Sequence, residues 1–279
     1  MSSFRERNDR KPRPEQGGKP RADKPFGKAR ARFAGKREDA EGWIWGWHAV
    51  EAALANPDRE GPFRLLATAD RAAALEPKLK GRRELKVEVL EGADIGRLLP
   101  QGAVHQGIAY RTAPLEGVAL EDLAEGQSGV IVMLDQVTDP QNVGAIFRSA
   151  AAFGARGIVL QDRNAPQLSG ALAKAAAGAV DKLPCARVVN LSRALERLAD
   201  LGWRAVGLDG GASETLDQAL DSRPTVIVMG SEGEGVRRLV AEHCDAMARI
   251  DMPGGFESLN VSNAAAIALY EASRKTRGA

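Results

Sequence analysis

Five polar side chains, drawn from three separate segments, have the types to hold and polarise a ligand. Asn142 and Arg148 lie in Asp135-Gln-Val-Thr-Asp-Pro-Gln-Asn142-Val-Gly144-Ala-Ile-Phe-Arg148-Ser149. Glu232 lies in Met229-Gly230-Ser-Glu232-Gly233-Glu-Gly235, and Ser258 and Asn260 lie in the stretch from Ile250 to Asn263. Amides both donate and accept hydrogen bonds, a carboxylate orients a guanidinium, and the guanidinium carries a fixed charge. Each segment also has a plain reading. Arg148 stands off the apolar face formed by Val143, Ile146, Phe147, Ala150 and Phe153 at about 100° per residue, as a solvated arginine does. The Gly230 loop lacks the first glycine of a G-x-S-x-G elbow, the lysine of a phosphate loop and the spacing of a dinucleotide fingerprint. Alone, it supports a generic ligand loop. Ser258-Leu-Asn-Val-Ser262 reads as the cap of an Ala-rich packing helix, with Val261, Ala265, Ala268 and Ala272 on one narrow side.

These segments need a scaffold that brings them together. From Gly129 onward, strands are expected at Val130–Leu134, Gly157–Leu160, Ala186–Val189, Trp203–Leu208, Thr225–Met229 and Ala246–Ile250. They alternate with helices at Val143–Phe153, Ser169–Ala177, Leu191–Leu201, Val236–His243 and Asn260–Arg274. Near-continuous apolar strands such as Val226-Ile-Val-Met229 predict a parallel sheet covered on both faces. Ligands of such sheets bind beyond the carboxyl ends of the strands, where the three segments fall. Asn142 is expected to cap the helix that follows it, and Gly144 to let a ligand approach that helix closely.

The rest of the chain divides by composition. Residues 1–37 hold 13 Lys/Arg against 4 Asp/Glu, and 1–41 reads as a disordered basic tail that could contact RNA or simply solubilise. Residues 42–112 read as a small α/β domain with strands at Phe63–Thr68, Lys86–Leu90 and Gly107–Arg111 and a helix-prone run at Ala72–Lys80. Its Trp43, Trp45 and Trp47 have strand spacing that suits packing, although tryptophans also stack bases. Residues 113–128 are polar and punctuated by Gly and Pro, an inter-domain linker, and 129–279 form the larger α/β domain. No apolar run approaches the ~20 residues of a membrane span. Two cysteines and no export signal point to the cytoplasm, and three histidines argue against a metal centre.

Taken together, the three segments resemble the motifs of the SpoU/TrmH family of RNA ribose 2′-O-methyltransferases, in the SPOUT superfamily. The first motif matches Asn142-Val-Gly144-Ala-Ile-Phe-Arg148-Ser149-Ala, the second Gly230-Ser-Glu232-Gly233, and the third Ser258-Leu259-Asn260-Val-Ser262-Asn263. Gly46-Trp-His48-Ala-Val-Glu51 and His105-Gln106-Gly107 also resemble the L30e-like substrate-binding domain of bacterial 23S rRNA guanosine 2′-O-methyltransferases. The resemblance implies an α/β fold with a deep trefoil knot in a mostly parallel sheet, and S-adenosylmethionine as cofactor. Gly230, Ile250 and Leu259, with Leu208 beside the adenine, are its implied contacts. It further implies a catalytic set of Asn142, Arg148, Glu232, Ser258 and Asn260, and the chemistry of a carboxylate beside a guanidinium adds the expectation that Glu232 orients Arg148 through a bidentate pair. A homodimer joined across the knot is implied as well, with the small face of the last helix as the expected dimer seam or knot-packing surface. The implied reaction is methylation of a ribose 2′-OH, of a guanosine in 23S rRNA. A tRNA or another rRNA ribose is the alternative substrate, and a non-catalytic ribosome-assembly factor the alternative role.

Overall fold

The structure, a computed structural model, describes residues 42–79, 85–256 and 258–277. The basic segment 1–41, and Lys80 at the end of the helix-prone run, lie outside the described residues.

The first part of the chain builds a four-stranded sheet. Its elements are β1 (Trp43–Trp45), α1 (Trp47–Ala55), β2 (Arg64–Ala67), α2 (Ala69–Leu75), β3 (Val87–Val89), α3 (Gly92–Leu98) and β4 (Ile108–Arg111). The strand order is β1-β4-β2-β3, antiparallel except between β2 and β3. Trp43 and Trp45 are core residues, whereas Trp47 opens α1 half-buried.

The stretch 113–128 contains a short helix, α4 (Leu120–Ala124), and Val118 makes a parallel bridge to Ala186. A five-residue helix shows no helical period in sequence, which is why this stretch read as irregular. Next come β5 (Val130–Leu134), α5 (Pro140–Ala152), β6 (Gly157–Gln161), α6 (Gly170–Ala176), β7 (Cys185–Val188), α7 (Leu191–Asp200) and β8 (Arg204–Leu208). They are followed by β9 (Glu214–Thr215), α8 (Leu216–Ala219), β10 (Thr225–Met229), α9 (Arg238–Ala241), β11 (Ala246–Arg249) and α10 (Val261–Arg277). All seven strands run parallel, in the order β7-β6-β5-β10-β8-β11-β9.

Every residue of the central strands β5 and β10 is buried. Successive side chains of a strand leave on opposite faces, and the two cores follow that alternation. Val130, Val132 and Leu134 pack with α5, α6 and α10, while Ile131 and Met133 pack with α4, α7 and α9. Because the sheet is parallel, the loops after Leu134, Leu208, Met229 and Arg249 leave from the same edge.

The last helix departs from expectation on one point. Val261, Ala265, Ala268 and Ala272 are buried within the chain's own core beside Phe147 and Met229. That narrow face cannot also be a seam between two copies, because its small side chains are what let α10 lie close on the sheet.

The two sheets meet through α1 and α6. Ala173 of α6 belongs to the core of the four-stranded sheet, and a side chain at Gly178 would collide with Ala52 and the backbone of His48. Arg59 and Asp181 form an ion pair across this contact, Nε to Oδ1 at 2.7 Å, with side chains only 1% and 2% exposed. Arg59 also donates to the Ala113 carbonyl, and Asn56 Nδ2 to Asp181 Oδ1.

Candidate functional site

The site is assembled at the carboxyl edge of the seven-stranded sheet. Helix α5 starts there because Asp139-Pro140 is a strong helix opening, proline being preset for the first helical position. The cap is Asp139, whose Oδ2 accepts from the Asn142 N–H at 2.8 Å. Asn142 therefore does not cap the helix as the sequence had suggested. One turn inside, its amide is left free to face the neighbouring loops.

Those loops supply its partners. Asn142 Nδ2 donates to Glu232 Oε1 at 3.1 Å. Asn260 Nδ2 donates to Asn142 Oδ1 at 3.0 Å and to Glu232 Oε1 at 2.7 Å. The Val261 N–H also donates to Glu232 Oε1, at 3.3 Å. Asn260 in addition caps α10, its Oδ1 accepting from the Ser262 N–H at 3.0 Å and from Ser262 Oγ at 2.6 Å. One residue from each of the three sequence segments thus meets at a single carboxylate oxygen.

The Glu232 loop is itself fixed at both ends. A side chain at Gly230 would occupy the space of the Gly235 backbone, and Ser231 and Gly235 exchange backbone hydrogen bonds at 3.2 and 3.0 Å. At its far end Arg237 is tied to Asp135, a fully buried carboxylate just past β5. Asp135 accepts from the Arg237 backbone N–H at 2.9 Å and from its Nε at 2.8 Å. A buried carboxylate must be paired to be tolerated, and this pairing holds the loop against the sheet. An aspartate directly after an apolar strand was the signal for it in the sequence.

Beneath this loop lies a cavity of about 480 Å³, within the ordinary range for a small-molecule site. Leu208, Gly230, Ile250 and Leu259 line it, together with Glu232 and Ser258. Met229, Ala248, Met252 and Asp209 do so too. Sequence reasoning passed over these four, since Met229 and Ala248 look like strand core and the others like loop.

Two expectations fail on geometry. Arg148 is exposed on α5, and among the described residues it makes no hydrogen bond or ion pair. The pair with Glu232 is not formed; the two asparagines instead donate to its Oε1. Gly144 is not open to a ligand. A side chain there would strike the Leu172 carbonyl, Ala175 and the Ala176 N–H, so this glycine serves the close packing of α5 on α6.

The remaining candidates for chemistry are structural. His105 Nδ1 accepts from the Gly107 N–H at 3.1 Å. Cys185 and Cys244 are free thiols. Burial pushes both up to about 12, and the Asp245 and Asp135 carboxylates add to the effect at Cys244. Among the described residues there is no group of His, Cys, Asp and Glu able to hold a metal, and no helix long and apolar enough to cross a membrane.

The chain is similar to known proteins over both of its α/β parts. Residues 129–270 match the model of the SpoU rRNA Methylase family, and residues 43–118 match that of an RNA 2′-O ribose methyltransferase substrate-binding domain. An uncharacterized tRNA/rRNA methyltransferase of Mycolicibacterium smegmatis is 36% identical over 257 residues, 90% of this chain and 82% of the relative. A counterpart in Mycolicibacterium gilvum is 35% identical, covering 95% of this chain and 86% of its own. Among solved structures, the AdoMet-bound rRNA methyltransferase of Sinorhizobium meliloti superposes with a TM-score of 0.69 at 28% identity, over 83% of this chain and 86% of that one. The chain belongs to the SpoU rRNA methylase family.

Proposed function

We propose that the protein transfers a methyl group from S-adenosylmethionine to a ribose 2′-OH of RNA, at a guanosine of 23S rRNA, as a cytoplasmic homodimer. The observation that carries this reading is the convergence of Asn142, Glu232 and Asn260 over the cavity lined by Leu208, Gly230, Ile250 and Leu259. The lining suits the cofactor: apolar side chains for its adenine and a tightly folded glycine loop for its polar end. When bound, S-adenosylmethionine supplies an electrophilic methyl group.

The chain's own residues prepare the hydroxyl. Holding a nucleophile in line is worth on the order of 7 kcal/mol or more in favourable cases. We assign that positioning to Asn142, Ser258 and Asn260, with Glu232 fixing the two amides. Arg148 is the activating group. A guanidinium with a pKa above ~12 does not act as a base at neutral pH. It instead binds a phosphate and stabilises the developing alkoxide, which lowers the pKa of the hydroxyl. Arg148 stands apart from the cavity lining of its own chain, which supports a site completed by a second copy. Ile267 and Tyr270 on the outer side of α10, 39% and 49% exposed, are the apolar groups such a contact would cover. The four-stranded sheet is assigned to holding the RNA, and residues 113–128 to joining it to the catalytic part. The trefoil knot of the family belongs to the same reading.

Mapping ribose methylation in total RNA from cells with and without the gene tests this directly. The expected result is the loss of one 2′-O-methyl group from a guanosine of 23S rRNA. Loss from a tRNA would move the substrate but keep the chemistry. An unchanged map, with a purified protein that binds no S-adenosylmethionine, would leave only a non-catalytic role in ribosome assembly.

A further inference from the structure

Beside the contact between α1 and α6, one neutral residue holds two cations, Arg71 of α2 and Lys174 of α6. Gln106, in the turn before β4, has a backbone φ of 56°, a left-handed conformation that a residue with a side chain adopts only under constraint. Its backbone carbonyl accepts from Arg71 Nε at 3.1 Å. Its side-chain Oε1 accepts from Lys174 Nζ at 2.7 Å and from the Trp47 N–H at 3.0 Å. Arg71 stands over the Trp47 ring, 5.1 Å from its centre. The lysine is given room by Gly46, where any side chain would collide with it.

Among the described residues, neither Arg71 nor Lys174 forms an ion pair with a carboxylate. Each is instead held by a neutral oxygen of the same residue. Desolvation already lowers the pKa of Lys174. Both cations keep donors that Gln106 does not use, namely the terminal guanidinium nitrogens and the other ammonium protons. Two cations with unused donors beside the partly buried Trp47 suit a backbone phosphate.

Accordingly, we propose that Arg71 and Lys174, bracketed by Gln106, bind a backbone phosphate of the RNA substrate at the seam between the two sheets. This inference rests on the RNA reading above and locates where the RNA is gripped. Lys174 lies on α6, which packs directly on α5, the helix carrying Asn142 and Arg148.

The test is binding of unmodified 23S rRNA transcript over a range of salt concentrations, with wild-type protein, Arg71→Gln, Lys174→Gln and the double variant. S-adenosylmethionine titrations on the same samples report on the fold and the cofactor cavity. The expected result is several-fold weaker RNA binding in each single variant. The slope of log affinity against log salt should become shallower by roughly 0.7–0.9 for each cation removed. Cofactor affinity should be unchanged, and Lys174→Arg, which keeps the charge, should retain the wild-type slope. Unchanged RNA affinity and slope in variants that still bind cofactor would overturn the proposal. So would a parallel loss of cofactor binding, which would mark the residues as structural. If wild-type protein bound cofactor but no RNA, the RNA reading itself would fall, and this inference with it.

Discussion

Arg148 carries a permanent charge that no carboxylate among the described residues neutralises. Its neighbours in the proposed chemistry are held elsewhere: Glu232 accepts from Asn142, Asn260 and the Val261 N–H and has no contact with it. A guanidinium left unpaired is available for an incoming phosphate, and its planar fork is matched to that shape. Arg148→Lys keeps the charge and loses the fork. On the proposed mechanism, methyl transfer to RNA falls by about 10²-fold or more, the range for losing one group that stabilises a developing oxyanion. Cofactor affinity should stay within about two-fold, since Arg148 does not line the cavity. A turnover assay with radiolabelled cofactor, paired with calorimetric cofactor binding, checks both. Near-normal turnover would show that a point charge suffices.

At the scale of elements, α5 shows how packing and chemistry share a helix. Gly144 lies mid-helix, where alanine would ordinarily be more favourable by about 1 kcal/mol. Here the Leu172 carbonyl and the Ala175 and Ala176 positions of α6 fill the space an alanine methyl needs. Overpacking costs typically 1–3 kcal/mol, so the clash outweighs the propensity. Gly144→Ala should lower stability in urea denaturation by about 1–2 kcal/mol and reduce activity, by displacing α5 and with it Asn142. A more stable variant would mean that α6 yields easily. Most of this architecture could be read from the chain alone. Runs such as Val130–Leu134 and Thr225–Met229 are long and apolar enough to announce a buried parallel sheet, and β5 and β10 keep the predicted bounds. Elements two to five residues long, such as β9, α8 and α4, are too short to repeat a hydrophobic period and left no signal. At the site, membership was easier to read than pairing. Asn142, Glu232 and Asn260 stood out by residue type and loop. Which of them touches which depends on side-chain positions set by three loops at once. For the same reason Gly144 looked open in sequence and is closed by a helix almost thirty residues away.

For the molecule as a whole, the buried Arg59–Asp181 pair ties the two sheets together more firmly than a flexible linker would. Both side chains are almost wholly withdrawn from water, so removing one partner strands the other's charge. That costs about 3–5 kcal/mol, whereas replacing both with apolar groups is often neutral or stabilising. Asp181→Asn should therefore lower stability by about 3 kcal/mol, and the double variant Arg59→Met/Asp181→Leu should recover most of it. Denaturant titrations of the three proteins decide this. A small loss in Asp181→Asn would mean that water reaches the pair. On the RNA reading, this rigid docking has a further consequence. With the grip on the RNA and the reactive edge fastened to one frame, the protein works as a caliper and selects a ribose by its distance from the gripped phosphate. Lengthening the RNA between those two points by one nucleotide should then shift methylation to the neighbouring residue, even where the original target base is left intact.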